Sequence, residues 1–230
     1  MNLNIPENFN KTVALLKKLF NPRILKNALF FSGGIILFIL GVIIYGIILN
    51  LREVPLNEEM KDKGFTSLHD PNILVSRKDY TLNLYEDTVL IKSYHASFGK
   101  NVNTPKTKAD DFSTPVGTYQ ICEINRDHKY FIKFKLNYPN ISDITEALRK
   151  NLITQQEFDQ LKFEFYYDDC PKLNTPLGND VSIHGIGEYD FIFRNLPFVF
   201  NWTDGSIALS NEDIDELSKV VSKGTKVVIQ

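Results

Sequence analysis

Cysteine is scarce in this chain: Cys122 and Cys170 are the only two among 230 residues. They allow one disulfide at most, and spacing alone does not say whether their geometry permits it. Neither these cysteines, nor the histidines, nor the carboxylates cluster at metal-ligand spacing, so zinc peptidase chemistry is disfavoured and no metal is expected. A glycine-rich phosphate loop is also missing, and nothing in the pattern calls for a cofactor. Charge of one sign is not in excess. With 26 basic against 28 acidic residues and a net charge of -2, the lysines lie scattered among Asp and Glu, which excludes a basic stripe for nucleic acid or another polyanion. No internal repeat or low-complexity tract occurs. What remains is a chain of ordinary globular composition, 43% hydrophobic, with room for one good-sized core and an appendage.

The appendage is a long apolar run. Residues 28–49 carry no charge and have about the twenty residues a helix needs to cross a bilayer. A core helix of a soluble domain is usually shorter and shows a polar face. A cleaved signal peptide has a shorter apolar region, begins earlier and ends in a small-x-small site. Residues 28–50 are therefore expected to be an uncleaved transmembrane signal anchor. Lys11, Lys17, Lys18, Arg23 and Lys26 precede it, whereas Arg52, Lys61 and Lys63 mix with Glu53, Glu58, Glu59 and Asp62 after it. By the positive-inside rule residues 1–27 form a cytoplasmic basic tail and the rest lies outside the cell membrane, in the periplasm. Residues 7–20 suit either a basic amphipathic helix on the inner leaflet or an irregular tail. Residues 51–70 are polar without a sustained period and read as a stalk.

The folded domain is expected over 71–230. Short apolar or alternating runs at 73–76, 81–85, 88–91, 119–124 and 130–136 predict strands, the last with Ile132, Phe134 and Leu136 on one face. Residues 142–162 predict a helical insertion of two helices, the first capped by Ser142 and the second by a Thr154 and Glu157 capping box. Residues 163–167 read as a strand or an aromatic edge and 181–184 as a strand. Ser210 with Asp213 caps a helix running to about Ser222, Gly224 ends it, and 226–229 closes as a strand.

Two stretches carry chemistry. Val181-Ser182-Ile183-His184-Gly185 sets a His-Gly pair about twenty residues before the turn in Trp202-Thr203-Asp204-Gly205-Ser206-Ile207-Ala208-Leu209-Ser210-Asn211, a spacing that can bring an imidazole base to a hydroxyl nucleophile. The backbone N–H groups of Asp204, Gly205 and Ser206 are candidate oxyanion donors. Taken with Tyr94 to Lys100, with Thr114-Pro115-Val116-Gly117-Thr118-Tyr119 and with Asn137-Tyr138-Pro139-Asn140, these motifs resemble the L,D-transpeptidase (YkuD-type) catalytic domain family over roughly residues 71–229. The resemblance is greatest to the branch with relatives of the enzyme that detaches murein lipoprotein from peptidoglycan.

That resemblance implies a mostly β domain of β-sandwich-like mixed sheets with a few helices, acting on peptidoglycan stem peptides, with an envelope protein as a possible acceptor. It makes His184 the general base, oriented by the carbonyl of Gly185. Ser206 takes the place of the family's nucleophilic Cys, and Trp202, Tyr138 and Thr203 become candidate substrate contacts, with Tyr166 and Tyr167 further candidates for the groove. Serine in place of cysteine changes the chemistry, because a thiol is partly thiolate at neutral pH whereas a serine hydroxyl needs a much better organised base. Three readings of Ser206 stand open: a natural pseudoenzyme that keeps its groove, a Cys-to-Ser replacement that silences an active enzyme, and a working serine enzyme. His95 and His128 lie outside the motif and are read as surface or loop histidines.

Overall fold

A computed structural model describes residues 21–50, 53–167, 170–196 and 200–230. The region read as an amphipathic helix or irregular tail, 7–20, lies outside the described residues. The chain divides into two compact units, Met1–Leu51 and Arg52–Gln230.

The first unit holds helix α1, Pro22–Asn50. It starts six residues before the predicted span because Asn21 caps it, accepting from the Arg23 N–H at 3.0 Å, with Pro22 at the first helical position, where its missing N–H costs nothing. Within Pro22–Leu49 an 18-residue window has a mean hydropathy of 2.6 and is 6% buried, unlike a helix packed into a soluble core. By length and composition α1 can cross a membrane.

Among its described residues the second unit is built on eight strands in the order β3-β2-β1-β8-β4-β5-β6-β7. These are β1 (Pro71–Ser76), β2 (Thr81–Glu86), β3 (Val89–His95), β4 (Gly117–His128), β5 (Phe131–Leu136), β6 (Ser182–Gly185), β7 (Ile207–Leu209) and β8 (Lys226–Ile229). The β1–β8 and β6–β7 pairs are parallel and the others antiparallel, so the sheet is mixed as expected. The long strand β4 joins its two halves, since residues 117–120 pair with β8 and the rest with β5. Beyond β3 the chain folds back on the far edge: Ser97 and Ala208 exchange backbone hydrogen bonds at 2.8 Å, and Lys100 N–H donates to the Thr203 carbonyl. The two ends of the strand order thereby meet at the segment around Thr203.

Alternation on β5 buries Ile132, Phe134 and Leu136, as their period predicts. The core also takes Ile73, Val75, Leu82, Leu84, Phe98, Tyr119 and Ile183. Helix α2, Leu56–Asp62, corrects the stalk reading, because Leu56 and Met60 are buried in this same core. A polar sequence hid a short helix with one apolar edge.

The insertion consists of α3 (Ile141–Arg149) and α4 (Gln155–Tyr167), which share a small core of Ile144, Ala147, Ile153, Leu161 and Leu177. Asn140, not Ser142, caps α3: the Asp143 N–H donates to Asn140 Oδ1 at 3.0 Å and the Asn140 N–H to Asp143 Oδ2 at 2.9 Å. Thr154 and Glu157 form the predicted box on α4. Residues 163–167 are helical rather than extended, continuing α4 with Phe163 stacked on Tyr167 at 4.4 Å, an i, i+4 contact that outweighs the β preference of aromatics. A short turn of helix, α5 (Asp190–Phe193), precedes β7. Helix α6 (Asn211–Ser218) is capped by Ser210 as predicted but stops before Ser222. Cys122 on β4 and Cys170 after α4 form a disulfide that fastens the insertion to the sheet.

Candidate active site

His184 sits in β6, whose four residues are all buried. Its Nδ1 lies 2.7 Å from the Gly185 carbonyl oxygen, and because a carbonyl only accepts, the proton is on Nδ1 and Nε2 keeps the free lone pair. Burial pushes the imidazole pKa down to about 4, with the Gly185 bond working against it and His128 and Lys133 reinforcing it. The ring is neutral near pH 7, the state a base requires.

Glycine at 185 follows from crowding. A Cβ there would stand 2.6 Å from Asn211 Oδ1 and 2.7 Å from the Tyr130 carbonyl oxygen, so the turn between β4 and β5 comes close only because no side chain intervenes. That turn places Tyr130 flat against His184, with ring centroids 4.7 Å apart and planes 21° apart. Trp202 meets His184 edge-on at 5.7 Å and Tyr130 at 5.6 Å. His128, read from the sequence as a surface or loop residue, is half-buried at the end of β4 with its ring 5.5 Å from Tyr130. Sequence reasoning passed over Tyr130, for a tyrosine in a hairpin turn carries no motif; only the register of β5 and β6, Lys133 opposite His184, brings it to the site.

The turn before β7 is braced from within. Thr203 Oγ1 donates to the Ser206 carbonyl at 2.6 Å and accepts from the Gly205 N–H at 3.3 Å. Thr203 is thus a buried staple and not the substrate contact expected, and the Gly205 N–H, expected to face an oxyanion, points into the turn. Asp204 is exposed and paired with Lys100 at 2.8 Å. Ser206 is half-buried. Its Oγ accepts from the Ser182 N–H at 3.2 Å and lies 3.1 Å from Ser182 Oγ and 3.5 Å from the Asp180 carbonyl oxygen.

Parallel pairing of Ile183 with Ile207 sets Ser206 beside Ser182, and His184, two residues along β6, shares the Ser182 face. The structure therefore gathers Ser206, His184 and Trp202 on one side of the sheet, with the Gly185 carbonyl on the His184 ring, while Ser206 Oγ, among the described residues, is hydrogen-bonded to Ser182 of β6 and not to the imidazole. Tyr138 does not join them. It is 2% exposed, packs in the core and donates its hydroxyl to the Leu177 carbonyl at 3.2 Å, so its apolar ring is structural and the expected substrate contact is corrected. Tyr166 and Tyr167 are exposed at the end of α4.

A neutral imidazole protonated on Nδ1, the Tyr130 and Trp202 rings beside it and a hydroxyl on the neighbouring turn supply the residue types that nucleophilic acyl chemistry uses. Residues 70–229 match the family model described as the L,D-transpeptidase catalytic domain, YkuD. No curated protein sequence matches. Among solved structures, the L,D-transpeptidase of Xylanimonas cellulosilytica is 14% identical, covering 77% of this chain and 70% of that one with a TM-score of 0.41. The helical cell shape determining protein Pgp2 of Campylobacter jejuni is 18% identical over 76% of this chain and 55% of its own, with a TM-score of 0.45. A Cys-to-Ser mutant of the Enterococcus faecium L,D-transpeptidase is 15% identical over 71% of this chain and 50% of its own, with a TM-score of 0.39. The chain thus spans about half the length of the latter two. With the family model matched across more than half of its length, the chain belongs to the L,D-transpeptidase catalytic domain (YkuD) family.

Proposed function

We propose that this protein is a membrane-anchored acyl-transfer enzyme of the cell wall, acting on peptidoglycan stem peptides. The observation that carries the reading is the His184 ring, held by Gly185 through Nδ1 so that Nε2 is free on the face that also bears position 206. In the proposed cycle the group at 206 attacks an amide carbonyl near a meso-diaminopimelate centre, forming the acyl bond as the amide C–N bond breaks. His184 takes the nucleophile's proton and returns it to the leaving amine. The acyl-enzyme is resolved by an amine, giving a crosslink or attachment to an envelope protein, or by water, giving an amidase. The Asp204 and Ser206 N–H groups are the proposed oxyanion donors, since that of Gly205 is engaged by Thr203. In this reading α1 anchors the domain in the cytoplasmic membrane, with residues 1–27 inside and the catalytic unit in the periplasm.

One observation favours a second reading, an anchored module that binds peptidoglycan without turning it over: the Ser206 hydroxyl is hydrogen-bonded to Ser182 and Asp180 and not to the base. The soluble unit from residue 53 onward, as it stands and as Ser206→Cys, separates the two on muropeptides with mass-spectrometric product analysis. Turnover by the cysteine variant is expected, at least about 100-fold above the serine form, because the thiol ionises without a strong base. Turnover by the serine form, abolished by His184→Ala, marks a working serine enzyme. Retained muropeptide binding with silence from both forms overturns the enzyme reading and leaves the binding module.

A further inference from the structure

A charged pair lies buried directly behind the nucleophile turn. Lys106 and Asp111 meet at 2.9 Å with side chains 5% and 8% exposed, and no part of the acyl-transfer cycle uses them. The Lys106 ammonium donates to Asp111 Oδ1, to the Lys108 carbonyl at 2.9 Å and to the Ala109 carbonyl at 3.4 Å, which uses all three of its hydrogens. Asp111 in turn accepts from the N–H groups of Thr107, Lys108 and Ser113. Burial disfavours its charge, yet these bonds hold its carboxyl below the usual range, so Asp111 is ionised near pH 7. The loop from 106 to 113 is thus wound around one buried ion pair.

This loop rests backbone to backbone on the turn. Gly205 has φ +125°, and a Cβ on it would stand 2.8 Å from the Ser113 carbonyl oxygen and 3.7 Å from Lys106 Nζ. Gly99 is packed more tightly still against the Phe112 carbonyl, with Gly205 Cα next to it. Among the described residues outside its own chain neighbours, only the Ser113 carbonyl comes nearer to the Gly205 Cβ point than the ammonium, so the positive end of the pair lies against the turn. A buried ion pair is a poor stabiliser compared with apolar packing of the same volume, and a fully bonded ammonium that is almost wholly buried is not a substrate clamp. Its position suits another task.

We propose that Lys106 is a positioning residue of the acyl-transfer site, whose buried positive charge acts through the Gly205 turn to favour negative charge at position 206 and on the adjoining oxyanion. The role rests on the acyl-transfer reading for its purpose, but its physical content, a field at position 206, is measurable without any substrate. Other titratable groups near that position include Asp204 with Lys100, Asp180 with Lys133, and His184, which is neutral near pH 7. Each of these anions has its own cation, whereas the Lys106 end of its pair is the one turned to the site.

The two described cysteines are joined in a disulfide, so Ser206→Cys creates a single free thiol, and its alkylation by iodoacetamide as a function of pH reads its pKa. On that parent, Lys106→Gln is expected to raise the thiol pKa by about one unit, a tenfold loss of thiolate near neutral pH, and Lys106→Arg to restore it. Asp111→Asn, which leaves the ammonium without its counter-charge, is expected to lower it. Opposite signs from the two halves of one pair are the signature of a field. Loss of loop structure moves both variants in the same direction, and that result, or no shift in either, overturns the proposal. Should the glutamine variant not fold, Lys106→Met supplies the same length without charge, and Asp111→Asn carries the test of sign. On muropeptides the same Lys106→Gln change is expected to lower kcat with KM little altered. A shifted thiol pKa with no muropeptide turnover by the Ser206→Cys parent retires the acyl-transfer reading while leaving the Lys106 field standing, and turnover with an unshifted pKa does the reverse.

Discussion

At the scale of single residues the site depends on His184 being buried and neutral. Its pKa near 4 lies below the 6.5 of an unfolded histidine, so the stability its neutral burial provides is fully present above pH 6.5 and is lost as pH falls through about 4. The acid limb of kcat/KM for the Ser206→Cys variant is accordingly expected near pH 4 and not 6.5, and a pH–rate profile from 3.5 to 8 checks it. Gly185 is the second residue whose chemistry is decided by what surrounds it. Gly185→Ala drives a methyl against the Tyr130 backbone carbonyl, which cannot swing aside as the Asn211 side chain can. The expected cost is about 1 to 3 kcal/mol in urea unfolding, with turnover by the cysteine variant lost as His184 and its orienting carbonyl are displaced.

At the scale of elements, α2 and α6 show how the site is braced from behind. Leu56 and Met60 of α2 enter the main core, and the Leu56 N–H donates to Glu216 Oε1 of α6 at 3.0 Å, while Lys92 of β3 pairs with Glu216 at 2.6 Å. A unit begun at residue 71 therefore lacks packing that one begun at 53 keeps, and is expected to melt several degrees lower by calorimetry; Leu56→Ala in the longer unit costs about 2 to 5 kcal/mol. Asp213 in the first turn of α6 is nine-tenths buried, and burial, with Glu53 and Glu216 adding to it, raises its carboxyl to about 7 against the Ser210 hydroxyl and Lys92. A carboxyl raised in this way favours folding below its unfolded pKa near 3.8, and the benefit is lost as pH rises through about 7. Asp213→Asn is expected to stabilise the unit at pH 8 relative to pH 5 by on the order of 1 to 3 kcal/mol, read as the difference between urea midpoints at the two pH values.

At the scale of the whole chain the Cys122–Cys170 disulfide closes a separation of 48 residues that contains both helices of the insertion. By the chain-entropy account such a loop is worth roughly 2 to 4 kcal/mol, so replacing both cysteines by alanine is expected to lower the unfolding free energy by about that amount without changing the strand order. Hydrogen exchange is expected to localise the loosening to α3, α4 and the approach to β6, because the core of β1, β2 and β8 has no covalent link to that segment.

Much of this protein was legible before folding because it depends on neighbours along the chain. The apolar run of α1, the alternating period of β5, the capping pairs of Thr154 with Glu157 and Ser210 with Asp213, and the spacing of His184-Gly185 from the turn at 203–206 are all written at short range, where backbone geometry alone decides which side chains share a face. The tertiary structure decided the remainder. It turned part of the polar stretch, Leu56–Asp62, into a helix with two core residues, sent Tyr138 into the core and Thr203 into the turn, stacked Tyr130 on His184, joined Cys122 to Cys170, and set the Lys106 ammonium behind Gly205. Each of these depends on which distant segments meet and how closely their backbones approach. Contacts of that kind are set by sheet register and by the space glycines leave open, and no local pattern in the sequence encodes them.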